Sequence, residues 1–494
     1  MRLSRYLIHY VMFFLLLIVL TGCTDRSIIL YNFISDEKMR NAANFLLDQS
    51  EDRYAVSLRY KNNNSDNLNS QINNYLEEGD IVDSLNAYSV NDTVWDKDGL
   101  DMRYLVKNVR LAFEQYRNNP LKMTVPDSIF YEYVLPYRVG NEELYDWRSH
   151  FSELYTNYLI TFNKNMFDEK FIIDMVHRFQ KISYHVYDRT GLAKYPISRT
   201  QSLKEIREVG YPYDCDDYAI FKLYSLRSIG LPAAFETIPL YGKFNFGHSE
   251  TALWHRDGKF HCTEGKTQMP YKFQIAKMYR KRFSPKESPY QQIISLGEKP
   301  RDIPDYFDMP YYEDITHERT PVSDININPI KDFENEKIDN SRIAYLCVYN
   351  NGEWKPVEWA KKNKRNSWIF KNMGRQIIYQ LATSQDGNMN LIGRPILLDS
   401  LGNIMHFENV KNTNASYAIN LKNYDRSDKL YKGNFELLFW DSEQKKWKSN
   451  KKFKSENDST LILLSENTLY KIQPDNSNKN PRPFTIKNNE QIWW

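Results

Sequence analysis

The sequence predicts an α+β protein: a helical N-terminal region, a mixed α+β core, and a C-terminal part built of antiparallel β-sandwich modules. Three observations predict it. Apolar residues recur at helical spacing early in the chain, as Met39, Ala42, Ala43 and Leu46 and again as Met102, Leu105, Val106, Val109, Ala112, Phe113 and Tyr116. In the middle, a helical stretch opening near Cys215 runs on to a hairpin pattern around Asp257-Gly258. Towards the end, short aromatic and β-branched runs are separated by Asn, Asp and Gly turns. A chain of 494 residues is long enough for about three domains, and 41% hydrophobic content is ample for several cores. With 66 Lys and Arg against 63 Asp and Glu, the net charge of +3 gives no reason to invoke nucleic acid. Thirty-six Tyr and ten Trp suit aromatic-lined surfaces, although β-sheet cores use the same residues.

The N-terminus reads as a targeting segment. Arg2 and Arg5 precede the apolar run Val11 to Leu20, which has the charge layout of a secretory signal and is short for a membrane span. The run ends in Leu20-Thr21-Gly22-Cys23, which resembles a bacterial lipoprotein box. The resemblance implies removal of residues 1–22, lipid attachment at Cys23, and a chain tethered to a membrane of the cell envelope, the outer membrane first among candidates. Three cysteines then remain, Cys215, Cys262 and Cys347. An odd number in an oxidising compartment is consistent with at least one functional thiol.

Residues 23–119 are expected to be mainly helical, with the polar run Asn62-Asn63-Asn64-Ser65-Asp66 as a surface loop. The segment from Asp127 to Arg148 concentrates Arg138, Asn141, Glu142, Trp147 and Arg148. Such a set lines a cleft or braces a core, and Trp147 and Arg148 are substrate-side candidates on the first reading. Phe171 to Phe179 reads as a helix leading into the core.

The central stretch is Tyr213-Asp214-Cys215-Asp216-Asp217-Tyr218-Ala219, followed by Gly247-His248-Ser249-Glu250. Asp214 can cap a helix whose apolar positions Ile220, Leu223, Leu226 and Ile229 recur every three residues until Gly230 and Pro232 stop it. Cys215 then lies in the first turn, where backbone N–H groups and the positive end of the helix dipole favour a thiolate and can hold an oxyanion. Asp216 and Asp217 oppose a second negative charge, so a cationic partner is needed, and His248 is the candidate. Alternation along the second hairpin strand puts Phe260, Cys262 and Glu264 on one face, from which Glu264 can orient the imidazole; Asp257 is its rival. Cys262 itself reads as a packing residue, with His255 and His261 on the solvent side. No Cys/His pair has metal-ligand spacing, and no cofactor is expected.

Taken together, a Cys at a helix start, the helix end Arg227-Ser228-Ile229-Gly230-Leu231-Pro232-Ala233, a His opening a hairpin and an acidic residue closing it resemble the transglutaminase-like, papain-like core. The likeness runs from roughly residue 170 to 275, and it implies a triad of Cys215, His248 and Glu264. The segment from Asp127 to Arg148 and the order of the parts after the core resemble the transglutaminase-like lipoproteins of Bacteroidetes. Tyr213 stands where the family usually has Gly, and Ser249-Glu250 where it often has an aromatic residue.

Residues 120–335 are accordingly expected to hold that core with its preceding segment, closing in a Pro-rich extended connection from Tyr279 to about Arg319. Two β modules are expected at 338–412 and 413–494, on the hairpin around Asn350-Asn351-Gly352 and the one around Asp441-Ser442-Glu443, each bearing Trp. Two functional readings follow. The first is a lipid-anchored thiol enzyme acting on an amide bond of a peptide, protein or glycopeptide through a Cys thioester, hydrolysis slightly favoured over amine transfer. The second is an envelope binding protein on a catalytically lapsed core, contacting glycans or peptides through its aromatic residues.

Overall fold

The computed structural model describes residues 33–60, 88–142, 144, 146–160, 168–177, 215–264, 269–328, 341–409, 415–421, 433–457, 459–475 and 480–494. The signal segment with Cys23, the polar run 62–66, and Tyr213 and Asp214 lie outside these residues. The chain is α+β: helices dominate its first half and antiparallel strands its second. Among the described residues no helix is long and apolar enough to cross a membrane. The chain divides into two compact units, residues 1–234 with 251–260, and residues 235–250 with 261–494.

In the first unit, α1 (Glu37–Asp48) starts at Asp36, whose carboxylate accepts the Met39 N–H at 3.0 Å, and α2 (Met102–Arg117) starts at Asp101, which accepts the Arg103 N–H at 2.7 Å. Both predicted apolar stripes contribute to the core, through Ala42, Ala43 and Leu46 and through Leu105, Val106, Val109 and Ala112. Residues 23–119, expected to be mainly helical, also hold a strand pair. Strand β1 (Tyr54–Tyr60) pairs antiparallel with β2 (Tyr88–Trp95), with a bulge between Ser57 and Leu58. The cause is local: Tyr54, Val56, Leu58 and Tyr60 alternate with period two and carry β-favouring side chains.

Helices α3 (Asp127–Tyr133) and α4 (Trp147–Ile160) and the helical residues 169–177 precede α5 (Cys215–Ser228). A single buried stripe was expected for α5, yet every residue from Phe221 to Leu231 is buried. Tyr224 packs on Trp147 with ring centres 4.3 Å apart, Phe221 meets Phe151 edge-on at 5.3 Å, and Ser225 accepts the Tyr155 hydroxyl at 2.9 Å. The helix ends where expected, in a Schellman motif: Gly230 N–H donates to Arg227 C=O at 3.0 Å and Leu231 N–H to Leu226 C=O at 3.1 Å. Gly230 has φ +78°, and a Cβ there would lie 2.2 Å from the Gln115 carbonyl oxygen, so both conformation and space demand glycine.

A five-stranded sheet has the order β5-β4-β3-β6-β7, from β3 (Ala233–Ile238), β4 (His248–Trp254), β5 (Phe260–Cys262), β6 (Tyr279–Lys281) and β7 (Tyr312–Asp314). The boundary between units falls inside β3, β4 and β5. The β4–β5 hairpin turns as its Asp-Gly pair predicts, with Gly258 at φ +78° and His255 N–H donating to Lys259 C=O at 2.8 Å. The stretch after β6 is less extended than expected, because α6 (Pro289–Ser295) forms behind a complete capping box of Ser288 and Gln291.

The second unit continues into two β modules of one plan. The first joins a five-stranded antiparallel sheet, β10-β9-β12-β13-β14, to the pair β8–β11. Its strands are β8 (Val322–Ile327), β9 (Ile343–Asn350), β10 (Glu353–Lys361), β11 (Trp368–Gly374), β12 (Ile377–Gln385), β13 (Asn388–Leu398) and β14 (Ile404–His406). The two sheets share one apolar cluster, including Ile325, Leu346, Trp368, Phe370, Tyr379 and Leu398. Because β8 pairs with β11, this module begins near 322, ahead of the expected start at 338. The Asn351-Gly352 turn has both φ values positive, 49° and 90°, as a two-residue hairpin requires.

The second module repeats the plan with β15 (Ser416–Asn420), β16 (Gly433–Asp441), β17 (Lys446–Ser455), β18 (Ser459–Leu463), β19 (Tyr470–Pro474), β20 (Phe484–Lys487) and β21 (Glu490–Trp493). They form the sheet β17-β16-β19-β20-β21 and the pair β15–β18, over a cluster that includes Ile419, Leu437, Ile462, Ile472 and Phe484. The Trp residues of the two predicted hairpins meet. Tyr349, Trp354, Trp440 and Trp447 close a ring of four edge-to-face contacts, with centres 5.4, 5.8, 5.4 and 5.7 Å apart. Edge-to-face packing turns the electropositive rims of the rings, indole N–H groups included, towards neighbouring π faces. The buried indole N–H groups of Trp354 and Trp440 have no hydrogen-bond acceptor among the described residues.

Candidate active site

Cys215 is the first residue of α5, half-buried, with its Sγ 3.9 Å from Asp216 Oδ1. The first helical turn leaves N–H groups without intrahelical acceptors, which suits a developing anion. The helix is held by its surroundings: Thr251 Oγ1 on β4 donates to the Ala219 carbonyl at 2.6 Å, one turn past Cys215. Cys215, Cys262 and Cys347 are all thiols.

His248 opens β4 in the second unit, half-buried beside a pair of tyrosines, Tyr241 and Tyr271, whose ring centres lie 6.4 Å and 6.2 Å from the imidazole and 6.3 Å from each other. Its carbonyl accepts the Thr237 hydroxyl at 3.3 Å. Glu264 lies just past β5, and its Oε2 stands 4.0 Å from His248 Nε2, at ion-pair distance and longer than a hydrogen bond. The structure therefore brings together the expected base and orienter. The rival carboxylate, Asp257, accepts the Lys259 N–H at 3.1 Å within the hairpin turn. His255, expected on the solvent side, is ion-paired, with Nδ1 2.5 Å from Glu169 Oε2.

A buried polar cluster escaped the sequence reading. Glu236 on β3 is fully enclosed; its Oε1 accepts Arg280 Nε and Arg319 Nη2, each at 2.8 Å, and its Oε2 accepts Arg319 Nε at 2.8 Å. Glu318 completes the pairing by accepting Arg280 Nη2 at 2.6 Å. Beside it, the Cys262 thiol donates to Glu250 Oε1 at 2.7 Å. Burial, and then the Glu236 carboxylate, push Glu250 up to about 7, against the opposing pull of Cys262, Tyr271 and Arg319. Burial and the same two carboxylates push the Cys262 thiol up as well, so it stays protonated. Glu236, Glu250 and Cys262 offer ligand atoms within 4.8 Å of one another. Two guanidiniums already hold Glu236 and the Cys262 thiol proton lies on Glu250 Oε1, so a cation here would meet two positive charges. Cys262 is thus more than the packing residue expected. The available signal was alternation along β4, which sets Glu250 on the same face as His248.

Trp147 and Arg148, the substrate-side candidates, are 1% and 2% exposed. The Trp147 indole N–H donates to Tyr137 C=O at 2.8 Å. Arg148 gives Nε to Asn108 Oδ1 at 3.0 Å, Nη1 to Gln115 Oε1 at 3.1 Å and to Arg227 C=O at 3.2 Å, and Nη2 to Val134 C=O at 2.7 Å. Glu142 and Arg138 belong to the same kind of bracing. Glu142 accepts Val139 N–H and Gly140 N–H at 2.7 Å each and the Tyr224 hydroxyl, while Arg138 pairs with Asp96 at 2.5 Å. Compared with protein-family models and with curated proteins, the chain matches none.

Proposed function

We propose that this chain is a lipid-anchored thiol enzyme with a transglutaminase-like core, cleaving or transferring at an amide bond of a peptide, protein or glycopeptide. Cys23 carries the lipid, the Cys215–His248–Glu264 set carries the chemistry, and the β modules are sandwich domains appended to the core. The observation that carries the reading is the pairing of His248 with Glu264 at 4.0 Å, the two residues that the sequence singled out as base and orienter. Apo distances of this kind tighten in substrate complexes. In the reaction, the Cys215 Sγ forms a bond to the amide carbonyl carbon while His248 takes the thiol proton. The tetrahedral oxyanion meets N–H groups at the start of α5. The C–N bond then breaks as the imidazolium protonates the leaving nitrogen, with Glu264 stabilising the cation. Water resolves the thioester to a carboxylic acid and regenerates the thiol; an amine in its place gives transfer.

The second reading, a binding protein on a lapsed core, draws support from Asp216, whose carboxylate stands 3.9 Å from Cys215 Sγ and opposes a thiolate. The pH dependence of alkylation separates the two. Cys347 is fully buried with its thiol pushed up by burial, and Cys262 is held protonated, so labelling at low pH reports Cys215. Fast labelling near pH 6 that collapses in His248→Ala is the expected result and warrants a screen of amide substrates. Labelling that rises only around pH 8.5 in both proteins, the ordinary thiol range, sinks the enzymatic reading.

A further inference from the structure

The nine residues from Pro239 to Gly247 join β3 to His248, and their backbone is held by side chains from both β modules. Asn350, at the end of β9 and 1% exposed, uses its whole amide on them. Its Oδ1 accepts the Phe246 N–H at 2.9 Å, and its Nδ2 lies 3.2, 3.1 and 2.9 Å from the carbonyl oxygens of Tyr241, Phe244 and Phe246. Arg482, fully buried ahead of β20, donates Nη2 to Gly242 C=O and Nη1 to Phe244 C=O at 3.3 Å, and is itself fixed through Nε to Trp494 C=O at 2.7 Å. Asn245 Oδ1 accepts the Asn351 N–H at 2.9 Å and its Nδ2 donates to Asn480 C=O at 2.9 Å.

The conformation so held is one that the loop would not choose by itself. Phe246 has φ +64°, a left-handed value unfavourable for an aromatic residue, and the residue is 67% exposed, so burial of the side chain does not account for it. The two hydrogen-bonding groups that Phe246 does have, N–H and C=O, both go to Asn350, and the C=O also accepts the Tyr241 N–H at 3.0 Å. Gly247 follows, where a Cβ would lie 2.5 Å from Ile238 C=O and 2.6 Å from Pro239 C=O. His248 emerges directly from this turn. Strained backbone persists where its surroundings over-determine it.

We infer that Asn350 and Arg482 are positioning residues for His248, and that the β modules clamp the loop from which the imidazole is presented. This rests on the proposed role of His248 as the base. The hydrogen bonds of both side chains to this segment are made to the loop backbone, and it is through that backbone that each acts. The test compares the intact chain with Asn350→Ala and Arg482→Lys by three readouts: Cys215 alkylation against pH, the imidazole titration of His248 by NMR, and amide exchange across residues 241–246. Asn350→Ala is expected to open the loop to exchange, shift the His248 titration and slow alkylation at pH 6 by about 10-fold to 100-fold, as misplaced catalytic groups do. Arg482→Lys keeps the charge and loses the fork, so a smaller loss in the same direction is expected.

An unchanged alkylation profile and His248 titration in a folded variant whose loop exchanges freely would overturn the clamp. Should Asn350→Ala not fold, the same readouts on Arg482→Lys settle the matter. Failure of the enzymatic reading itself is distinguishable, because the intact chain would then show no His248-dependent alkylation. The His248 titration, moved or unmoved by the variants, still decides the clamp.

Discussion

Glu142 in the first unit and Glu250 in the second are the same side chain, buried almost to the same degree, and they end with opposite proton affinities. Burial drives both upward. For Glu142 the Arg138 charge, the Tyr224 hydroxyl and the Val139 N–H more than offset burial, and its carboxyl sits below the usual range. For Glu250 a second carboxylate, Glu236, adds to burial, and the nearby guanidiniums are already committed to Glu236 and Glu318, which leaves Glu250 at about 7. What separates them is where the compensating charge and donors were placed, since a low-dielectric site magnifies whichever neighbours it has.

The largest effect should come from taking away that compensation. Arg319→Met leaves the enclosed Glu236 with Arg280 alone, and a loss of about 3–5 kcal/mol in urea unfolding is expected, as for other broken buried pairs. A loss under about 1 kcal/mol would show that Arg280 suffices and dissolve the contrast between the clusters.

Next comes Glu250→Gln. Glu250 binds its proton more tightly in the folded chain than in the unfolded one, where 4.5 is the ordinary value. Its contribution is therefore fully present below about 4.5 and is lost as pH rises through about 7. The lost stability amounts to about 3 kcal/mol on the proton-linkage scale. Glu250→Gln should flatten that fall, gaining on the intact chain at pH 8 and not at pH 4. Parallel stability–pH curves for the two proteins would place the proton elsewhere.

Arg148→Met sharpens the contrast from the other side. It strands carbonyl and amide oxygens but no carboxylate, so a smaller loss of about 2 kcal/mol is expected, measured in the same way. A loss matching that of Arg319→Met would mean that unpaired neutral acceptors cost as much as an unpaired charge. At the small end stands Lys371→Ala. Its pair with Asp324, at 2.5 Å, is 67% and 43% exposed, and its removal should cost under about 0.5 kcal/mol with a salt-sensitive remainder.

Much of the local structure around the candidate site could be read in the sequence because its signals are local. Cys215 as a helix start, Gly230 as a helix stop, Asp257-Gly258 as a hairpin turn and Asn351-Gly352 as another each depend on a few neighbouring φ preferences. The nearness of Glu264 to His248 followed from alternation along one hairpin. The β1–β2 pair leaves a weaker signal in the sequence than the helical stripes on either side of it. The place of β8 in the first β module is not legible locally, because β8 and β11 are separated by the whole β9–β10 hairpin and pairing at that distance leaves no local trace.

By itself, the sequence determined the α+β class, the end of α5 at Gly230 and the hairpin turns, all of which rest on backbone preferences and periodicity within a short window. Tertiary structure alone decided that Trp147 and Arg148 brace a core, that Glu236, Glu250 and Cys262 share one buried cluster, and that Asn350 and Arg482 grip the loop before His248. The physical reason is the same in each case. A polar side chain announces that it needs partners, but which partners it meets depends on groups as far away in the chain as Arg482 is from Gly242, and only the fold brings those together.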